Sequence, residues 1–195
     1  MKLYSSRGSP FARKAVVVAR EHEIALDIEL INVFEATFLD ELNPLRMIPT
    51  LVLDDGSVLY DSQVICLYLD DIAGKPTLYP DKDRWSWQTR ASLAHGLTEA
   101  SVALRLQQVL PEAERSKTQI DRFSARLDRA IDALEAAADR LAAGALRIDQ
   151  IGAACALGHV DFRHTEAWRT RCPKLAAWYD AFRQRPSLAE TVPVG

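Results

Sequence analysis

The segment Gly74 to Lys82, GKPTLYPDK, carries one glycine and two prolines and separates two stretches of chain with different periodicities. Before it, short apolar runs of strand and helix character alternate. After it, residues 83 to 189 form long helix-forming stretches rich in Ala, Leu and Arg. No single hydrophobic repeat continues through such a punctuated segment. The chain is therefore read as an α/β domain over 1–73, a linker over 74–82 and an all-helical domain over 83–195. At 195 residues and 48% hydrophobic composition it is long enough to bury two small cores.

Within the first domain, Lys2 to Ser5 reads as a strand. Pro10 to Glu23 reads as a helix, with Phe11, Ala15, Val18, Ala19 and His22 on one face and Arg13, Lys14, Arg20 and Glu21 elsewhere. Pro10 suits the first helical position, where its missing N–H would find no partner anyway. Leu26, Ile28 and Leu30 alternate with Asp27 and Glu29, a strand pattern. A short helix is expected over Ala36 to Leu42, closed by Asn43-Pro44. Leu51 to Leu53 and Ser57 to Tyr60 flank Asp54-Asp55-Gly56, a hairpin turn. Asp61-Ser62 then caps a helix striped by Ile65, Tyr68, Leu69 and Ile72. The order is βαβ, a short helix, then ββα. In the second domain one long helix is expected over Asp121 to Ala143.

Composition excludes several functions. With 24 basic and 27 acidic residues the net charge is −3, and the basic runs Arg163-His164 and Arg169 to Arg171 are short and read as solvated. That gives no basic face for nucleic acid. Cys66, Cys155 and Cys172 are widely spaced and odd in number. His22, His95, His159 and His164 show no ligand spacing, so neither a disulfide framework nor a metal site is expected. The start MKLYSSRGS has no apolar signal core, and no run approaches the ~18 apolar residues of a membrane span. A reduced cytoplasmic protein without a membrane partner is the expectation.

Five stretches, SPFARK (9–14), NPLRMIPTL (43–51), LYDSQVICLYL (59–69), ACALGHVDFR (154–163) and PKLAAWYDAFRQRPS (173–187), together resemble the cytosolic glutathione S-transferases over essentially the whole chain. The likeness is nearest to bacterial serine-type members. It implies a thioredoxin-like first domain with a mixed sheet that binds glutathione as co-substrate, a helical second domain that shapes the pocket for a small hydrophobic electrophile, and a homodimer. The candidate pocket wall runs through Arg90 to Leu104 and Phe162 to Trp168.

The resemblance implies roles residue by residue. Pro49 corresponds to the family's cis-proline, leaving the N–H and C=O of Ile48 to pair with glutathione's cysteinyl backbone as an added strand would. Asp61 and Ser62 stand at a helix start, where free N–H groups and the dipole attract the γ-glutamyl carboxylate. Asp61 would take the γ-glutamyl ammonium. Phe11 belongs to the same glutathione-binding set. Ser9 either caps the Pro10 helix or donates its hydroxyl to the glutathione sulfur, with Ser5 and Ser6 as competitors. Read without the resemblance, Pro49 ends an ordinary loop and Asp61-Ser62 is a simple cap.

Two positions depart from the family pattern. Arg46-Met47-Ile48 replaces the usual small-basic-apolar run, so Met47 stands where a lysine would meet the glycine carboxylate, and Arg46 is the candidate substitute. Arg147 and Gln150 occupy the capping box that opens the second domain's central helix, where Arg is a poor N-cap. Cys66 and Cys155 fall within helical patterns and read as core, which disfavours thiol–disulfide exchange. A glutathione- or hydrophobe-binding protein without turnover, and a glutathione-dependent lyase, isomerase or peroxidase, are the alternatives to transfer.

Overall fold

A computed structural model describes residues 1–74 and 76–194. They gather into two compact units, Met1–Pro80 with Pro186–Gly195, and Asp81–Arg185. The linker expected over 74–82 includes Lys75, which lies outside the described residues, as does Gly195.

In the first unit the strands are β1 (Lys2–Ser5), β2 (Asp27–Leu30), β3 (Thr50–Val52) and β4 (Val58–Leu59), in sheet order β2-β1-β3-β4. β2 runs parallel to β1, and β3 runs antiparallel to both β1 and β4. Helices α1 (Pro10–Glu21) and α3 (Ser62–Ala73) pack on each other, burying Ala12, Ala15, Val17, Val18, Ile65, Cys66 and Leu69. Helix α2 is shorter than its sequence pattern, Leu39–Leu42, because the chain from Asn32 to Phe38 closes successive turns instead. The alternation in β2 does not create a buried face either. β2 is an edge strand, Ile28 and Leu30 are 40% and 49% exposed, and Glu29 pairs with Lys2 at 2.9 Å.

The sequence places the chain end with the helical domain, but from Pro186 it packs on α1 through a short helix α10 (Pro186–Ala189). Arg13, on the polar side of the α1 wheel by sequence, is buried there. Its guanidinium donates to the Leu188 carbonyl at 3.0 Å and to Thr191 Oγ1 at 3.4 Å. His22, just past the end of α1, meets Asp70 on α3 at 2.8 Å, and Asp70 also accepts from the Leu78 N–H at 2.7 Å.

The second unit contains α4 (Arg84–Val109), α5 (Lys117–Ala136), α6 (Ala138–Ala142), α7 (Ile148–Arg163), α8 (Trp168–Arg171) and α9 (Pro173–Phe182). The expected helix 121–143 is interrupted at Ala137, where φ −102 and ψ 4 redirect the chain into α6. Helix α7 is buried almost throughout and packs against α4. Arg147 does not cap it: a guanidinium has no acceptor. Gln150 Oε1 takes the Arg147 N–H at 2.7 Å, while Arg147 Nε reaches Asp149 at 3.1 Å and Nη2 reaches the Arg140 carbonyl at 3.1 Å.

The α4–α7 seam has a constant register. Arg90 pairs with the fully buried Asp149 at 2.8 Å. A Cβ placed on Gly152 would meet Ala94 Cβ at 3.5 Å, an ordinary van der Waals contact, so the helices lie close there without requiring glycine. Further along, Ser101 Oγ meets His159 Nδ1 at 2.7 Å, both residues being buried. His164, the C-cap of α7, directs Nε2 to the Ser101 carbonyl at 3.0 Å. Nor is the second basic run solvated: Arg169 pairs with Asp161 and Asp180 and lies against Trp168 and Tyr179.

Burial, and then the charges of His164, Arg163 and Arg105, push the His159 pKa down from 6.5 to about 4. The fold therefore holds His159 neutral, and the unfolded chain binds the extra proton between those values. Stability present above pH ~6.5 is lost as pH falls toward ~4, by about 3 kcal/mol from this one group. Urea unfolding across that range should show the loss, and His159→Gln should flatten the slope.

Candidate functional site

Strand register brings three loops to one end of the first unit's sheet. Tyr4 pairs with Thr50 and Leu51 with Leu59. The exit of β1, the entrance of β3 and the exit of β4 therefore lie side by side. Ser9, the Ile48–Pro49 turn and the Asp61–Ser62 helix start belong to those three loops.

Ser9 is the N-cap of α1, extended at φ −80 and ψ 116, and its Oγ accepts from the Ala12 N–H at 3.2 Å. Its own N–H donates to the Ser6 carbonyl at 3.2 Å, which closes the loop. The cap uses an acceptor lone pair and leaves the hydroxyl proton available, at a helix end with no acidic residue in its first turn. Ser5 is buried on β1 and its hydroxyl faces the Ser6 carbonyl at 3.5 Å, whereas Ser6 is half-buried. Phe11 follows in the first turn of α1 and is also half-buried.

The loop from Asn43 to Pro49 is held from inside. Asn43, 1% exposed, donates through Nδ2 to the Met47 carbonyl at 3.0 Å and to Thr50 Oγ1 at 2.9 Å, and its Oδ1 accepts from the Leu45 N–H at 3.0 Å. Thr50 Oγ1 donates to the same Met47 carbonyl at 2.8 Å. The Ile48–Pro49 bond is cis, as the resemblance implies. With Met47 O already taken by side chains, the Ile48 N–H and C=O have no partner among the described residues. Met47 is 54% exposed. Arg46 takes a left-handed φ of 48, donates its N–H to the Asn43 carbonyl at 2.8 Å, and has Nε 3.3 Å from Asp40 Oδ1. That separation gives charge attraction without an aligned hydrogen bond. Arg46 is thus already balanced by an acid.

At α3 the capping roles divide. Asp61 is the N-cap, accepting the Gln63 N–H on Oδ1 at 2.9 Å, and its side chain is solvent-facing. Ser62, the first helical residue, is 1% exposed and its Oγ has no hydrogen-bond partner. The sequence has capping and ligand binding competing for one hydroxyl. In the structure Asp61 caps, and Ser62 keeps a buried, unsatisfied hydroxyl beside free helix N–H groups. A buried hydroxyl without a partner costs about 1–3 kcal/mol, which an incoming polar ligand relieves.

Sequence reasoning missed Asn43 and Thr50 as positioning residues. Asn43 was legible only as a helix stop before proline. The available signal was Asn and Thr bracketing the short run to Pro49, a polar pair with no solvent-facing pattern of its own. Among the described residues there is no group of three or more His, Cys, Asp or Glu able to hold a metal, and no helix long and apolar enough to cross a membrane.

Both units match established family models: "Glutathione S-transferase, N-terminal domain" over residues 8–72 and "Glutathione S-transferase, C-terminal domain" over residues 117–181. The chain is 30% identical to the uncharacterized GST-like protein YibF of Escherichia coli K12 over 99% of this chain and 98% of that one. A glutathione transferase family member from Pseudomonas fluorescens Pf-5, crystallised with bound glutathione, superposes with TM-score 0.92 at 39% identity, covering 100% of this chain and 99% of the other. Another structure from that organism's family member, with bound S-(propanoic acid)-glutathione, gives TM-score 0.89 at 36% identity and 99% coverage of both chains. The chain belongs to the glutathione S-transferase family, with a thioredoxin-like first domain and a helical second domain.

The Asn43 network generates a direct test. Asn43→Ala strips the Met47 carbonyl and Thr50 of a buried donor and should destabilise the protein by about 1–3 kcal/mol in urea unfolding.

Proposed function

We propose that this protein is a glutathione transferase, holding glutathione at the three-loop end of the sheet and activating its thiol for attack on a small electrophile. The observation that carries this reading is the buried, unsatisfied Ser62 hydroxyl at the N-terminus of α3. The bound glutathione of the Pseudomonas relative supports the same ligand here.

In this reading the γ-glutamyl carboxylate binds the Ser62 hydroxyl and adjacent N–H groups, and Asp61 receives the γ-glutamyl ammonium. The Ile48 N–H and C=O pair with the cysteinyl unit beside cis-Pro49, and Phe11 contributes to the wall of the cleft. Arg46 exchanges its Asp40 contact for the glycine carboxylate, since Met47 carries no charge. These anchors place the sulfur toward Ser9. An unperturbed thiol has a pKa of about 8.5 and is mostly protonated at neutral pH, yet the thiolate is the nucleophile. Ser9 Oγ–H donating to sulfur, with the positive end of α1 behind it, stabilises the anion. Each pKa unit of depression corresponds to about 1.4 kcal/mol. The proton leaves to water, the sulfur attacks, and the leaving group or adjacent carbon takes the electron pair. A cytoplasmic homodimer is the assembly that goes with this reading.

Ser62→Ala should weaken glutathione binding by about 1.5–3 kcal/mol in calorimetry, the range for a hydrogen bond to a charged group. Unchanged affinity would remove Ser62 from the site. Ser9→Ala should lower turnover and raise the pKa of the bound thiol, read from thiolate absorbance, while leaving glutathione affinity nearly unchanged. It should also lose about 1 kcal/mol of stability with the cap. Identical thiol titration in Ser9→Ala and the parent would make Ser9 a cap alone. Binding without turnover on aryl halides, epoxides, enones and hydroperoxides would identify a carrier.

A further inference from the structure

The segment that leads into the Ile48–Pro49 turn carries one cation against two acids. Between Leu39 and Pro49 the charged residues are Asp40, Glu41 and Arg46. Asp40 and Glu41 are exposed on α2, and Arg46 stands on the turn that follows it. The backbone fixes that turn: Arg46 takes its left-handed φ of 48 while its N–H donates to the Asn43 carbonyl at 2.8 Å. The guanidinium is given over to Asp40, with Nε 3.3 Å from Oδ1 and the two side chains 37% and 53% exposed. Asp40 is the one acid paired with Arg46 among the described residues. Beside Arg46 in the chain, Met47 is 54% exposed and Leu45 59% exposed, both uncharged. An anion arriving here meets a neutral ion pair and apolar side chains, where a lysine would have offered a free cation.

We propose that Asp40 cancels selection for a charged carboxyl end, so that the thiols this site takes extend to γ-glutamylcysteinyl peptides whose glycyl end is an amide or ester. This rests on the glutathione reading of the site and specifies the chemistry of the ligand's glycyl end. The balance is an exchange. A glycine carboxylate gains Arg46 either by displacing Asp40, which leaves that acid without its partner, or by sharing the guanidinium with it. Sharing brings two like charges together. An exposed ion pair is worth little by itself, so exchanging one for another returns almost nothing. An amide or ester requires no exchange: Arg46 stays with Asp40, and the uncharged end lies beside uncharged Met47.

Calorimetry with glutathione, its glycyl amide and its glycyl ethyl ester is the test. The parent should bind all three within about threefold of one another. Asp40→Asn frees Arg46 and should tighten glutathione by about fivefold while leaving the amide unchanged. That new preference should shrink at high salt, as screening grows, and should vanish when Arg46→Met is added to Asp40→Asn. Circular dichroism establishes that each variant is folded. A parent that prefers glutathione to the amide by more than about threefold overturns the proposal, and leaves the glutathione reading standing. An Asp40→Asn protein in which the ratio of the two affinities is unchanged does the same. If none of the three ligands binds the parent, the glutathione reading itself fails and the proposal falls with it.

Discussion

The first unit depends on β3 running antiparallel between β1 and β4. The pairing of Tyr4 with Thr50 and of Leu51 with Leu59 defines that register. A strand's side chains alternate faces, so a slip of one residue would swap the faces of Leu51 and Thr50, both fully buried. Burial thus enforces the register, and the register brings the ends of β1, β3 and β4 together. Ser9, Ile48, Asp61 and Ser62 all stand on a loop or helix start attached to that end.

The loops themselves are stabilised by groups that ask nothing of a ligand. Ser9 caps α1 with a lone pair and Asp61 caps α3 with a carboxylate oxygen. Asn43 and Thr50 occupy the Met47 carbonyl. Among the groups of these loops left without a hydrogen-bond partner in the described residues are the Ile48 backbone, Arg46 Nε and the Ser62 hydroxyl. A preorganised polar surface of this kind recognises an extended peptide-like ligand without paying to reorder the loop. Along α4 and α7 the second unit instead pairs its buried polar groups with one another, Arg90 with Asp149 and Ser101 with His159.

Much of this was legible in the residues. Pro10 after Ser9, Asp61 before a striped helix, and the hairpin turn Asp54-Asp55-Gly56 are local signals, and each sits where its chemistry predicts. The misreadings have a common cause. Arg13 looked like a surface charge, yet it is buried because the chain end returns from far along the sequence to accept its hydrogen bonds. Leu26, Ile28 and Leu30 gave the strand, but not that β2 would be an edge strand with Ile28 and Leu30 exposed. The Arg163-His164 pair looked solvated, yet His164 is held by Ser101 on another helix.

The sequence by itself determined the change from α/β to helical character, the helix starts and the hairpin turn, because caps, turns and apolar periodicity act within a few residues, while the cis-proline and the family came from the resemblance. The tertiary structure alone decided that Asp61 caps α3 while the Ser62 hydroxyl is left over, that Arg46 faces Asp40, and that Ser101 meets His159. Those outcomes depend on which distant group arrives first at a hydrogen-bonding atom or charge. Only packing brings groups that far apart in the chain within bonding distance.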